Sequence, residues 1–177
     1  DEAEAYLEDY LTTATAVDQD GAFLSLITFL RQTKGDDAAL ARIEQGLAGA
    51  QADNQMRQIL RASLLFEMGQ RETGIGDLAA ILAVDPSTLT VSERLDAQTA
   101  LARMLMLNGD DNAARATVET ILTEDASLPN ALKMRAAWRI GDDDTTGAIN
   151  DLRIALDSDP DDAEAMVLMA NAYRRAG

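Results

Sequence analysis

The chain has 177 residues, 15 basic against 31 acidic, and a net charge of −16. It therefore lacks the basic footprint that a nucleic-acid backbone or an anionic lipid surface requires. It has no histidine and no cysteine, which removes Ser-His and Cys-His nucleophiles, histidine-liganded zinc and thiolate metal sites.

The spacing of apolar residues predicts ten helices and no strand, over 2–16, 21–34, 37–49, 53–68, 71–83, 91–108, 111–123, 128–140, 145–157 and 162–176. Tyr6 and Tyr10 stand on the first, which carries acidic but no basic residues. The second holds the longest apolar stretch, Phe23–Leu30, far short of the roughly 18 residues of a membrane span. Stops are marked by Gly35, Gly69, Gly109 and Gly141, residues able to take a left-handed conformation at a helix C-terminus. Starts are marked by Asp36, Asp37, Asp110, Asp111, Asp144, Asp161 and Asp162, which can cap free backbone N–H groups. Thr90 with Glu93 fits a capping box, so the sixth helix is expected to start early and run long. Gly141 is expected to end the eighth helix early and leave 141–145 as a longer turn.

Gly35, Gly69, Gly109, Asp143 and Gly177 recur at intervals of 34, 40, 34 and 34 residues, the mark of a repeat array rather than one closed core. The longer interval inserts six residues around 87–94. Seven places before each marker stand Thr28, Ala62, Ala102, Ala136 and Ala170; five places after stand Leu40, Gly74, Ala114 and Ala148. Nine places after stand Glu44, Leu78, Val118 and Leu152; twelve after stand Leu47, Ile81, Ile121 and Ala155; seventeen after stand Ala52, Pro86, Ala126 and Pro160. Small residues thus fall where two helices must approach closely, branched ones follow a turn later, and a helix-stopping residue comes next.

This set resembles the tetratricopeptide repeat, which is small at its eighth and twentieth places, apolar at the twenty-fourth and proline at the thirty-second. The match is fullest over 53–177, and clearest from Ala148 to Pro160 and on through Tyr173. Over 21–52 it holds in phase only, because Thr28, Leu40 and Glu44 depart from it. Residues 1–20 fall in register as a preceding second helix in which Tyr6 is too large for its place. The resemblance implies an all-α right-handed superhelix, an α-solenoid of stacked antiparallel helix pairs. The expected array comprises a helix in 1–20, pairs in 21–52, 53–88, 89–126 and 127–160, and an unpaired last helix in 161–177. Starting without Met and stopping as a first helix ends, it is expected to be a piece of a larger bacterial repeat protein. Its compartment, cytoplasm or cell envelope, is left open by these residues.

The resemblance also implies a concave face, lined by the first helix of each pair, that holds protein or peptide segments. The places that line it hold Ser25, Phe29 and Gln32; Ser63 and Phe66; Thr99, Arg103 and Met106; Asn130, Lys133 and Ala137; and Asn171 and Arg174. Of these, Phe29, Phe66, Thr99, Arg103, Met106, Asn130, Lys133, Asn171 and Arg174 are the candidate peptide-binding residues. The basic and amide members suit a carboxylate or acidic side chains, against the alternative that they are only solvated helix faces. The family's clamp for a chaperone C-terminus needs lysine and asparagine at its fifth and ninth places. Those places hold Ser25 and Phe29, Ile59 and Ser63, Thr99 and Arg103, Lys133 and Ala137, and Val167 and Asn171; no pair satisfies it.

No catalytic residue, metal site or cofactor is expected. The acidic run from Asp157 to Glu164 fails as a calcium loop, with Asp162 where glycine is needed and Leu168 where glutamate is needed. The run Asp142–Asp144 and the segment Asp18–Gly21 read as turns. Gly74-Ile75-Gly76 lies inside a helical repeat, not after a strand. Trp138 and the methionines at 104, 134, 166 and 169 read as packing residues. A last helix without a mate leaves Met166, Met169, Ala170 and Tyr173 partly bare. Self-association or a spacer role is therefore the alternative to partner binding.

Overall fold

The computed structural model describes residues 2–15, 18–48, 54–84 and 89–177. Among them it has ten α-helices: α1 (Glu2–Thr13), α2 (Gln19–Lys34), α3 (Asp36–Leu47), α4 (Gln55–Glu67), α5 (Arg71–Ala83), α6 (Val91–Asn108), α7 (Asp111–Glu124), α8 (Pro129–Gly141), α9 (Thr145–Ser158) and α10 (Ala163–Ala176). The chain divides into two compact units, Asp1–Glu93 and Arg94–Gly177. In the first, α1 packs on α2, α2 on α3, α3 on α4 and α4 on α5; in the second, α7 packs on α8, α8 on α9, and α10 on both α8 and α9. Ala52, Pro86 and Ser87, which the repeat pattern uses, lie outside the described residues.

Close approach inside the later pairs rests on small residues. Ala62, Ala102 and Ala136 are fully buried, as are Ala114 and Ala148 on the second helices. Leu78, Val118 and Leu152, a turn further on, are fully buried too. Gly74 shows how tight the contact is: a Cβ there would lie 2.6 Å from the Ala62 carbonyl oxygen and 2.9 Å from Phe66 Cβ. Ala170, at the same place on α10 and expected to be partly bare, differs from these. It is exposed: among the described residues α10 packs on α8 and α9, and no helix covers the face that α5 and α9 cover on α4 and α8.

The first pair is shifted by one residue from the expected phase. In later pairs the turn is closed by an N–H five residues after its carbonyl: Gln70 to Leu65, Asp110 to Leu105 and Asp144 to Arg139, all 2.8–2.9 Å. The residue before each donor, Gly69, Gly109 or Asp143, has φ of 89°, 88° or 63°. In the first pair the equivalent donor is Gly35 itself, bonded to Leu30. Lys34, not Gly35, therefore holds the marker position. Ile27 replaces Thr28 at the small place, and Ala39 and Ile43 replace Leu40 and Glu44; all three are buried while Thr28 and Glu44 are exposed. Tyr6 and Tyr10 also lie outside, at 70% and 42% exposure, while α1 turns Leu7 and Leu11 to the core, a displacement of one residue in the opposite direction.

Gly141 is the last residue of α8, and Asp143 adopts the left-handed conformation. The turn of 142–144 is as long as that of 68–70, so the expected longer turn is not formed. The capping box at α6 is formed. Thr90 N–H donates to Glu93 Oε2 at 2.8 Å, and Glu93 N–H donates to Thr90 Oγ1 at 3.2 Å. Replacing Thr90 with alanine is expected to cost about 1 kcal/mol, read as an earlier denaturant midpoint with an unchanged slope.

Candidate functional site

Two three-helix ion clusters set the rigid frame behind the candidate residues. Arg61 on α4 reaches Asp77 on α5 at 2.6 Å and Glu44 on α3 at 3.3 Å. Arg135 on α8 reaches Asp151 on α9 at 2.8 Å and Glu119 on α7 at 3.1 Å. Both arginines stand eight places before the marker residue and 16 residues before their aspartate. Each ties a pair together and to the pair before it. In α6 the same place holds Leu101. The second cluster is the drier one: Asp151 is 3% exposed and also takes Arg139 Nη1 at 2.8 Å. Hydrogen bonding to Asp151, against the cost of burial, raises the Arg135 guanidinium above its ordinary value. The repeated Arg-to-Asp spacing of 16 was present in the sequence and is the signal by which these clusters could have been found.

The structure sorts the candidate residues. Phe66 is buried against Gly74, with Arg71 over its ring at 5.5 Å, so it is a packing residue and not a groove residue. Phe29 is half-buried against the core of the first unit, because the one-residue slip moves the outward place to Thr28. Lys133 is not a free cation. Its Nζ lies 2.8 Å from both Asp162 and Glu164, with only 12% of the side chain exposed, and it ties α8 to the start of α10. Thr99 and Met106 are half-buried, Arg103 and Asn130 are exposed, and Asn171 and Arg174 are neighbours on α10, Arg174 Nη2 donating to Asn171 Oδ1 at 3.2 Å. Trp138 is partly buried against the second unit's core, with Arg115 over its ring at 5.2 Å.

Among the described residues, at least ten of the 15 basic side chains pair with a carboxylate. Arg103 and Arg153 have no hydrogen-bond or ion-pair partner among the described residues, and Arg174 has only the Asn171 amide. Arg103 and Arg174 lie on first helices; Arg153 lies on a second helix. A concavity of about 430 Å³ between α8 and α10 brings Asn171 and Arg174 together with Ala137, Ile140, Leu168 and Arg175. The last four of these were not among the candidates, though Ala137 stood at a place expected to line the face. The acidic turn residues serve the fold: Asp142 pairs with Arg115 at 2.7 Å, Asp143 with Arg175 at 3.1 Å, and Asp144 caps the Gly147 N–H at 2.9 Å. Among the described residues no group of three carboxylates could hold a metal ion, and no helix is long and apolar enough to cross a membrane.

The Lys133–Asp162 pair carries a pH dependence. The Lys133 ammonium, with the Ala165 N–H, holds the Asp162 carboxyl below its ordinary value. A depressed carboxyl stabilises the fold above its unfolded pKa of about 3.9, and that contribution is lost as pH falls through the lower folded value. Lys133→Met is therefore expected to narrow its stability gap to the wild type as pH drops from 6 to 3. Thermal unfolding of both chains measures this, and the surplus negative charge common to both cancels. A gap that stays constant or widens on acidification contradicts the pairing.

No sequence-family model and no curated protein matches the chain. Solved structures do. The MamA protein shares 14% identity over 90% of this chain and 84% of that one, with a TM-score of 0.63. MamA 41-end from Desulfovibrio magneticus RS-1 shares 12% over 90% and 92%, at 0.61. The TPR domain of P58(IPK) shares 17% over 98% of this chain and 50% of that one, at 0.57. At these identities the likeness is one of fold. The chain is an all-α protein of stacked antiparallel helix pairs. Its fold is that of the tetratricopeptide repeat, as its residue pattern anticipated.

Proposed function

We propose that the chain is a non-catalytic scaffold that binds a protein or peptide on the face of its first helices. The observation that carries this is the set of uncommitted polar side chains at the outward places of that face. Arg103, Asn130, Asn171 and Arg174 are not spent on the chain's own carboxylates, although acidic residues outnumber basic ones two to one. The missing histidine and cysteine leave no conventional nucleophile or base pair to set against this reading. Ala137→Trp places a large side chain in the α8–α10 concavity. It should abolish capture of whatever partner the wild-type chain captures, while Ile154→Glu, on an exposed second-helix position, should not. Equal capture by the wild type and Ala137→Trp, or loss with Ile154→Glu alone, sinks the reading.

A second reading rests on α10. Met166, Val167 and Tyr173 are 46–61% exposed, and Ala170 is exposed beside them. A bare apolar stripe of this kind supports self-association. Sedimentation of the chain with and without Ala170→Glu tests it: a monomer in both cases removes the support.

A further inference from the structure

Resting on the scaffold reading, we infer that the α8–α10 concavity selects a partner segment carrying an aspartate or glutamate beside an aliphatic side chain. The floor is apolar, formed by Ala137, Ile140 and Leu168, and the rim is polar, formed by Asn171, Arg174 and Arg175. Arg175 is already committed. It donates to the Ile140 carbonyl oxygen at 2.7 Å and pairs with Asp143 at 3.1 Å. In doing so it offsets the negative end of α8, which would otherwise oppose an incoming anion. Among the described residues Arg174 is left with one neutral contact, the Asn171 amide oxygen.

The number of acids makes that contact informative. There are 31 carboxylate side chains for 15 basic ones, and most arginines here find one. Among the described residues Arg103 and Arg153 are also without a carboxylate, but neither lines this concavity. Arg174 does. An incoming carboxylate can accept two parallel N–H bonds from its guanidinium, and the Asn171 NH₂ remains a donor for a backbone carbonyl. The aliphatic neighbour of the acid then covers Ile140 and Leu168. A free chain terminus is the less suited occupant, since Arg175, the other cation lining the concavity, is already paired with Asp143 and only Arg174 is left to hold a carboxylate. The chain's own excess negative charge acts at long range and is screened beyond about 8 Å at physiological salt, so the local arginine decides.

The test uses the full chain and a fluorescein-labelled peptide blocked at both ends, Gly-Leu-Glu-Leu-Gly, with a glutamine version and a version whose C-terminus is free. Anisotropy titration is expected to show the glutamate peptide binding at least about tenfold more tightly than the glutamine one, which is 1.4 kcal/mol. Arg174→Gln should erase that preference and Arg153→Gln should leave it intact. Circular dichroism checks that both variants stay folded. Equal binding of the glutamate and glutamine peptides overturns the acidic preference while leaving the scaffold reading standing. A preference that survives Arg174→Gln overturns the site. A requirement for the free terminus overturns the choice of an internal segment. No binding of any peptide up to about 1 mM, a standard free energy near −4 kcal/mol, overturns the inference, while partner capture and its loss in Ala137→Trp still decide the scaffold reading.

Discussion

Replacing Asp151 with alanine is expected to lower the stability of the chain by about 3 kcal/mol. Asp151 is 3% exposed and holds two guanidiniums: Arg135 through both carboxylate oxygens at 2.8 and 2.9 Å, and Arg139 at 2.8 Å. Removing one side of a buried pair strands the other, and such deletions cost about 3–5 kcal/mol. Arg135 and Arg139 keep 21% and 32% of their side-chain surface in water. Water therefore re-solvates part of the stranded charge, and the lower end of that range applies. For a chain of this size the loss corresponds to a fall in Tm of roughly 6–12 °C. Differential scanning calorimetry measures it; a change below about 1 kcal/mol, the value of an ordinary surface ion pair, contradicts the account of the cluster. Asp77→Ala, in the more exposed cluster, is expected to cost less, because Arg61 and Asp77 keep 32% and 37% of their surfaces in water.

Gly74 and Gly76 lie two residues apart on α5 and should respond to alanine with opposite sign. At Gly76 nothing lies within 4 Å of an added Cβ. Only the helix propensity changes, and Gly76→Ala should stabilise by about 0.8–1 kcal/mol. At Gly74 the same propensity gain applies, but the Cβ meets the Ala62 carbonyl oxygen at 2.6 Å and the Phe66 backbone nitrogen at 3.0 Å. Those are backbone atoms of α4 and cannot rotate away, so the two helices must part. Overpacking of this kind costs about 1–3 kcal/mol, and at a contact this short the upper part of that range outweighs the propensity gain. The net expectation for Gly74→Ala is a loss of about 1–2 kcal/mol. Chemical denaturation of both variants gives the answer, and a Gly74→Ala chain as stable as Gly76→Ala rules out the close approach of α4 and α5.

The helices were legible in the sequence because the apolar period coincides with a glycine stop at α2, α4, α6 and α8 and with an acidic start at α3, α7, α9 and α10. Where a single signal stood alone, the reading slipped. Gly35 looked like the other marker glycines, yet it occupies the donor position of the closing turn, and its φ of 90° goes with a ψ of 174°. Glycine tolerates both conformations, so its identity could not distinguish them. That one-residue difference moved Phe29 from the outward face into half-burial and Thr28 out of the core. Gly141 misled for the converse reason: Asp143 took the left-handed conformation, which aspartate adopts more readily than most residues. Of the candidate residues, Asn171 and Arg174 fall side by side on α10 and line one concavity. Lys133 was not recognisable as spent, because its partners Asp162 and Glu164 come from the next helix and only tertiary packing brings them within 2.8 Å.

On the proposed function, partners meet the first helices and the second helices serve as backing. Photo-crosslinking from a benzophenone side chain placed in turn at Asn130, Ala137, Arg153 and Ile154 tests it directly. All four positions are exposed, so accessibility does not bias the result. Adducts with the partner from Asn130 and Ala137 on α8, and none from Arg153 or Ile154 on α9, are the predicted outcome; adducts confined to α9 would contradict it.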